Sequence, residues 1–117
     1  MAIIEGTIDI KEEKRGDVVI LRLKGRLDAI SSPCTEKKVF DCINSGKNKL
    51  LLDFEGVEYL SSAGVRMLLS TTKKLKTTSG KLVVCCVATN VLDLLKMSGF
   101  DHVLELSKNQ EEGLRKF

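Results

Sequence analysis

Lys49-Leu50-Leu51-Leu52-Asp53-Phe54, followed after a short polar turn by Ser61-Ser62-Ala63-Gly64-Val65-Arg66, is the stretch on which the fold class turns. Three consecutive leucines bounded by polar residues suit a short strand covered on both faces. After the turn, Ser61 or Ser62 caps a helix. In it Val65, Leu68, Leu69, Thr72 and Leu75 recur at the three- and four-residue steps of a buried face. Gly80 follows its last turn. A buried strand leading directly into an amphipathic helix is the repeating unit of an α/β protein.

The flanking sequence continues the alternation. Upstream, Thr7 to Lys11 and Asp17 to Lys24 read as two strands broken at Gly16, an antiparallel pair whose second member ends at Gly25. Ser31-Ser32-Pro33 starts a helix, with Ser at or near the cap and Pro near the first helical position. Val39, Cys42 and Ile43 carry its apolar side to Ser45-Gly46. Downstream, Leu82 to Val87 reads as a central strand. Thr89 or Asn90 opens a third helix through Val91, Leu94 and Leu95, and Gly99 closes it. Val103 to Leu106 makes a last strand, and Lys108 to Phe117 a marginal terminal helix with a thin apolar face. Strands separated by helices run mostly parallel. The expectation is an α/β fold, a mainly parallel sheet of about five strands flanked by about four helices, in one domain over 1–117.

Composition narrows the function classes. A chain of 117 residues, 43% hydrophobic and 30% charged, buries a core without disulfides or a structural metal. Its apolar runs fall far short of the ~20 residues that span a bilayer. No basic region followed by a cleavable apolar stretch opens it, so the cytoplasm is the expected compartment, without membrane insertion. The net charge of +3 is spread along the chain, and four Phe, one Tyr and no Trp offer little for stacking on bases, which argues against nucleic acid.

The four cysteines, Cys34, Cys42, Cys85 and Cys86, form no C-x-x-C pair, and Cys85 and Cys86 read as small apolar side chains in a buried strand. His102, the single histidine, falls in a loop or strand start and reads as solvated or structural. There is no G-x-S-x-G elbow, no H-E-x-x-H, no paired Cys/His set and no phosphate-binding loop. No metal, cofactor or nucleotide site is therefore expected. The residue placed to serve an enzyme is Cys34, at a helix start that would lower its pKa, but no base accompanies it.

One segment stands apart, Val57 through Arg66. Two serines meet a helix N-terminus, and the small Ala63 and Gly64 leave the backbone open to a visiting protein surface. One function for these hydroxyls is capping, whose removal costs about 1 kcal/mol. Another is to accept a phosphate, which a helix N-terminus tolerates through its free N–H groups and positive dipole end. The two do not exclude each other. Asp53, Glu55 and Glu58 just upstream would make the phosphate's neighbourhood acidic.

Tyr59-Leu60-Ser61-Ser62-Ala63-Gly64-Val65-Arg66 resembles the signature of STAS domains in anti-sigma factor antagonists, an aromatic and an apolar residue followed by Asp-Ser-Ser/Thr-Gly-Leu or Ser-Ser-Ala-Gly-Leu. Gly25-Arg26-Leu27-Asp28, Leu51-Leu52-Asp53, Gly80-Lys81-Leu82-Val83-Val84 and Met97-Ser98-Gly99-Phe100 are similar to further family elements, in order, from about Ile8 to Leu106. The resemblance implies the STAS fold and a binding protein, not an enzyme. It implies that Ser62 is phosphorylated by an ATP-binding serine kinase that is also the anti-sigma factor, and that a serine phosphatase reverses this. The unmodified protein would bind that kinase and free a sigma factor. Carried over residue by residue, Asp28, Ser61, Ser62, Ala63, Gly64 and Arg66 form the partner-binding set, and Asp53 is the strand-end residue next to it. Ser61 stands where many members have Asp. A stressosome-type scaffold, or a subunit holding the ATPase of a lipid-transport complex, would use the same serine or surface.

Overall fold

Alternation along the middle strand explains the layers. In this computed structural model, which describes residues 2–5 and 8–117 and side chains from Ile8 onward, Leu50, Leu52 and Phe54 face one side and Leu51 the other. The elements are β1 (Ala2–Glu5), β2 (Ile8–Arg15), β3 (Val18–Leu27), α1 (Ser31–Asn44), β4 (Lys49–Leu60) and α2 (Ser62–Lys76). They continue with β5 (Lys81–Cys85), α3 (Thr89–Met97), a 3₁₀ turn (Phe100–His102), β6 (Glu105–Ser107) and α4 (Gln110–Leu114). Leu50, Leu52 and Phe54 join Val39 and Ile43 of α1, Val65 and Leu68 of α2, and Val91 and Leu95 of α3 in the main core. Leu51 joins Val18, Ile20, Val83 and Cys85, against which Leu114 of α4 and Phe117 pack. The leucine run is thus covered on both faces, as its pattern requires.

The sheet has six strands in chain order. β1–β2 and β2–β3 pair antiparallel; β3–β4, β4–β5 and β5–β6 pair parallel, each joined by a helical crossover. The sheet is therefore mixed, with a parallel half. The extra strand relative to the sequence expectation is β1, a four-residue edge whose periodicity is too short to read. Thr7, the first residue of the expected N-terminal strand, lies outside the described residues.

Several strand limits differ from the expectation: β2 runs past Lys11 to Arg15, and the last strand is Glu105–Ser107, with Val103 outside it. Gly25 does not end β3: with φ of 124° it sits at a register shift against β4, and the strand runs on to Leu27. β4 does not stop at Phe54 but pairs with β3 as far as Leu27↔Leu60. The polar Glu55, Gly56 and Glu58 read as a turn because a sheet partner, which local sequence does not show, supplies their backbone pairing. β5 ends at Cys85, and Cys86 has a left-handed φ of 62°. Buried Val39, Cys42 and Ile43 confirm the face of α1. No helix of the described residues is long and apolar enough to cross a membrane.

Candidate functional site

Parallel pairing brings the C-terminal ends of β3 and β4 side by side, with Arg26 opposite Tyr59 and Leu27 opposite Leu60. The Arg26 guanidinium lies over the Tyr59 ring, 4.2 Å from its centre. Beyond these ends the Ser61 N–H donates to the Leu27 carbonyl at 2.8 Å. Asp28, the residue after Leu27, and Ser61 therefore leave the sheet together at the C-terminal end of these two parallel strands.

Each loop then starts a helix. Asp28 Oδ1 accepts the N–H groups of Ile30 and Ser31 at 3.0 and 2.9 Å, and Ser31 Oγ accepts the Asp28 N–H at 3.0 Å. The start of α1 is thus held by Asp28 rather than by a serine cap, and Ser31 and Ser32 are buried. At α2 the cap is Ser61: its backbone is extended, and its Oγ accepts the Gly64 N–H at 3.2 Å. Ser62 is the first helical residue and is exposed. Of the two serines, the cap belongs to Ser61, and the Ser62 hydroxyl makes no hydrogen bond among the described residues.

Gly64 explains why the corner is so close. A Cβ there would stand 2.5 Å from Leu60 Cδ1 and 3.2 Å from the Leu27 carbonyl oxygen, so any larger residue forces the Leu60 side chain and the end of β3 to give way. Ala63 is half-buried, and Arg66, one turn after Ser62, is exposed. Two clefts flank this first turn. One of about 300 Å³ lies toward α1, between Ser32, Pro33 and Glu36 on one wall and Ala63 and Arg66 on the other. The second, about 220 Å³, lies toward α3 and is lined by Ser62, Val65, Arg66, Leu94, Ser98 and Phe100.

Asp53 is not the strand-end neighbour of Ser62. It lies within β4, on the face that carries Leu51, and is buried. Its Oδ1 accepts the Glu55 N–H at 2.9 Å and its Oδ2 accepts from Gln110 Nε2 of α4 at 2.7 Å. The side-chain period of two sends it away from α1–α3. Its charge therefore does not add to an acidic neighbourhood at Ser62. Leu94, expected on the buried face of α3, is 37% exposed, and it lines the cleft beside Ser62. The helix buries only Val91 and Leu95, a four-residue step that the sequence already offered.

The remaining chemistry-bearing residues lie away from this corner. The Cys34 thiol, half-buried in α1, donates to the Ile30 carbonyl at 3.7 Å. His102 is exposed in the 3₁₀ turn. All four cysteines are free. Cys85 is buried in β5, whereas Cys86 is half-buried just past its end.

Residues 9–113 match the family model of the STAS domain. An anti-sigma F factor antagonist from Paenibacillus polymyxa is 26% identical over 108 residues, 92% of each chain. An anti-sigma factor antagonist from Mycobacterium paratuberculosis superposes with a TM-score of 0.85 at 22% identity, covering 94% of this chain and 93% of that one. The Bacillus cell-fate determinant SpoIIAA in its phosphorylated form superposes with a TM-score of 0.70 at 20% identity, covering 92% and 97%. The family match spans both strand ends and the helix start they support, and on it the chain belongs to the STAS domain family.

Proposed function

We propose that this protein is an anti-sigma factor antagonist that works by partner switching. Unmodified, it binds an anti-sigma factor that is an ATP-dependent serine kinase and so frees a sigma factor. Phosphorylation of Ser62 ends that binding, and a serine phosphatase restores it. The protein acts as a cytoplasmic single-domain binding module, not as a catalyst.

The observation that carries this reading is the division of labour at the start of α2. Ser61 supplies the cap, so the exposed Ser62 hydroxyl can take a phosphate without loss of the helix. A helix start leaves N–H groups without intrahelical partners, and its dipole favours an anion. Arg66 follows one turn later and offers a cation on the same helix. The fold therefore tolerates the modification while the surface changes. A phosphoserine adds about −1.5 to −2 charges to a patch of hydroxyls, Ala63 and the partly exposed Tyr59 and Leu94. A hundredfold loss of affinity needs only about 2.7 kcal/mol, which a doubly charged group placed in an interface can provide. Asp28 holds the neighbouring loop in shape, and Ser61, Ala63, Gly64 and Arg66 complete the partner surface.

The test is site mapping by mass spectrometry of the protein recovered from its own cells, with calorimetry against the kinase co-purified with it. Phosphate on Ser62, and kinase binding by the unmodified form that phosphorylation weakens, are the expected results. Phosphate confined to Ser61 would overturn the residue assignment. Co-purification of a large scaffold or of transporter subunits in place of a kinase would overturn the function.

A further inference from the structure

Side chains of adjacent residues in a strand point to opposite faces, yet Cys85 and Cys86 bring their sulfurs within 3.4 Å of each other. The cause is the backbone of Cys86, which leaves β5 with a left-handed φ of 62°, an unfavourable region for a residue with a Cβ. Sterically costly conformations of this kind persist where the surroundings demand them, and they cluster at functional sites.

A third group converges on the pair. Cys85 and Asp53 are register partners across β5 and β4. A carboxylate oxygen of Asp53 and the two sulfurs all lie within 4.8 Å of one another, the group of potential metal ligands that the described residues hold. The cluster faces α4, on the opposite side of the sheet from α1–α3. We propose that Asp53, Cys85 and Cys86 form a binding site for a thiophilic divalent cation, Zn²⁺, under the C-terminal helix.

The chemistry suits that ion. Zn²⁺ takes thiolate sulfur and carboxylate oxygen together in tetrahedral sites, with Zn–S near 2.3 Å, and two such bonds at a tetrahedral angle separate the sulfurs by about 3.8 Å. The 3.4 Å found here needs only a small opening. Three protein ligands leave the fourth position for solvent, reached from the half-buried Cys86 side. On binding, each thiol gives up one proton as its Zn–S bond forms, and both protons pass to solvent. The site then holds one dication, two thiolates and one carboxylate, a net charge of −1, the same as Asp53 alone. No additional net charge is buried. Without the ion, burial above all raises the Cys85 and Cys86 thiols above their usual pKa.

Occupancy is coupled to α4. Asp53 Oδ2 accepts from Gln110, and an ion drawing on the Asp53 carboxylate withdraws charge from the hydrogen bond that anchors the five-residue helix. The experiment is titration of the reduced, full-length protein with ZnCl₂ against a chromophoric chelator, with Cd²⁺ as an ultraviolet probe of metal–thiolate bonds. One ion per chain is expected, with the thiolate band. Cys86→Ser, at a half-buried position, should weaken binding at least tenfold, as should Asp53→Asn. Cys34→Ser and Cys42→Ser should bind as the parent does, and Zn²⁺ should speed amide exchange in α4. Absence of stoichiometric binding overturns the proposal. So does parent-like affinity in Cys86→Ser, or loss of the band in Cys34→Ser. Binding that depends on Cys86, with α4 exchange unaltered and Asp53→Asn neutral, removes Asp53 from the site and overturns the three-ligand assignment.

Discussion

The amide of Ser61 donates to the carbonyl of Leu27 at 2.8 Å, and this one bond joins the two strand ends from which the candidate site grows. It places Asp28, which orders the start of α1, beside the serine that caps α2. The site is thus a corner of backbone geometry. Changes that move the corner should be separable from changes that alter only its exposed hydroxyl.

Ser61→Ala and Ser62→Ala should differ in stability. The first removes a cap hydrogen bond and should cost about 1 kcal/mol. The second removes an exposed hydroxyl and should stay within about 0.5 kcal/mol of the parent. Urea unfolding with an unchanged slope reads the difference, and equal costs would contradict the assignment of the cap.

Ser62→Asp should fold like the parent and weaken kinase binding by less than phosphorylation does. One carboxylate brings a single charge where phosphate brings nearly two and a third acceptor oxygen. Ser62→Ala should retain binding while phosphate incorporation disappears. Calorimetry with the kinase, and mass spectrometry after incubation with ATP, check both.

Gly64→Ala should damage both stability and binding. The added methyl meets Leu60 Cδ1 at 2.5 Å and Leu27 Cβ at 3.2 Å, an overpacking that costs about 1–3 kcal/mol. Relief requires α2 to shift away from the strand ends, carrying Ser62 with it. A denaturation midpoint equal to the parent's would show that the corner gives more easily than its contacts imply.

Glu12 supplies a pH dependence. Its carboxylate contacts Lys38 at 2.8 Å and Lys47 at 3.4 Å. The Lys38 hydrogen bond in particular holds it below its usual pKa, against the opposing effect of burial. A depressed carboxylate pKa adds stability above the unfolded value and loses it as pH falls through the folded one. The parent should therefore exceed Glu12→Gln by about 0.5–1 kcal/mol at neutral pH. The gap should close on acidification below the ordinary 4.5. A gap that persists in acid would assign it to packing instead.

Gln110→Leu should cost about 1–3 kcal/mol, because a buried carboxylate oxygen loses its donor. The affected bond lies on the α4 face. Phosphate incorporation at Ser62 should therefore be unchanged, and a large change there would mean that the two faces are coupled.

Local periodicity made much of this protein legible. Leu50 to Leu52, Val65 and Leu68, and Val39, Cys42 and Ile43 identified a two-sided strand and the buried faces of two helices, because burial repeats with the period of the element. The alternation of those elements determined the parallel half of the sheet, and the paired serines marked a helix start. The run from Glu55 to Leu60 was misread for the same reason: its strand conformation is held by pairing with β3, which no local period records.

The sequence by itself thus determined the buried face of α1 and the two-sided burial of the leucine run in β4, and that Ser61 and Ser62 stand where a helix begins. Only the tertiary structure decided which of them caps, because that depends on the angle at which the chain leaves β4 against Leu27 and Gly64. It also decided that Asp53 turns away from Ser62 toward Gln110 and Cys85, partners 57 and 32 residues distant in the chain. The physical reason is range. Side-chain alternation and capping act over one to four residues, whereas strand register and sheet faces are settled by the packing of distant segments.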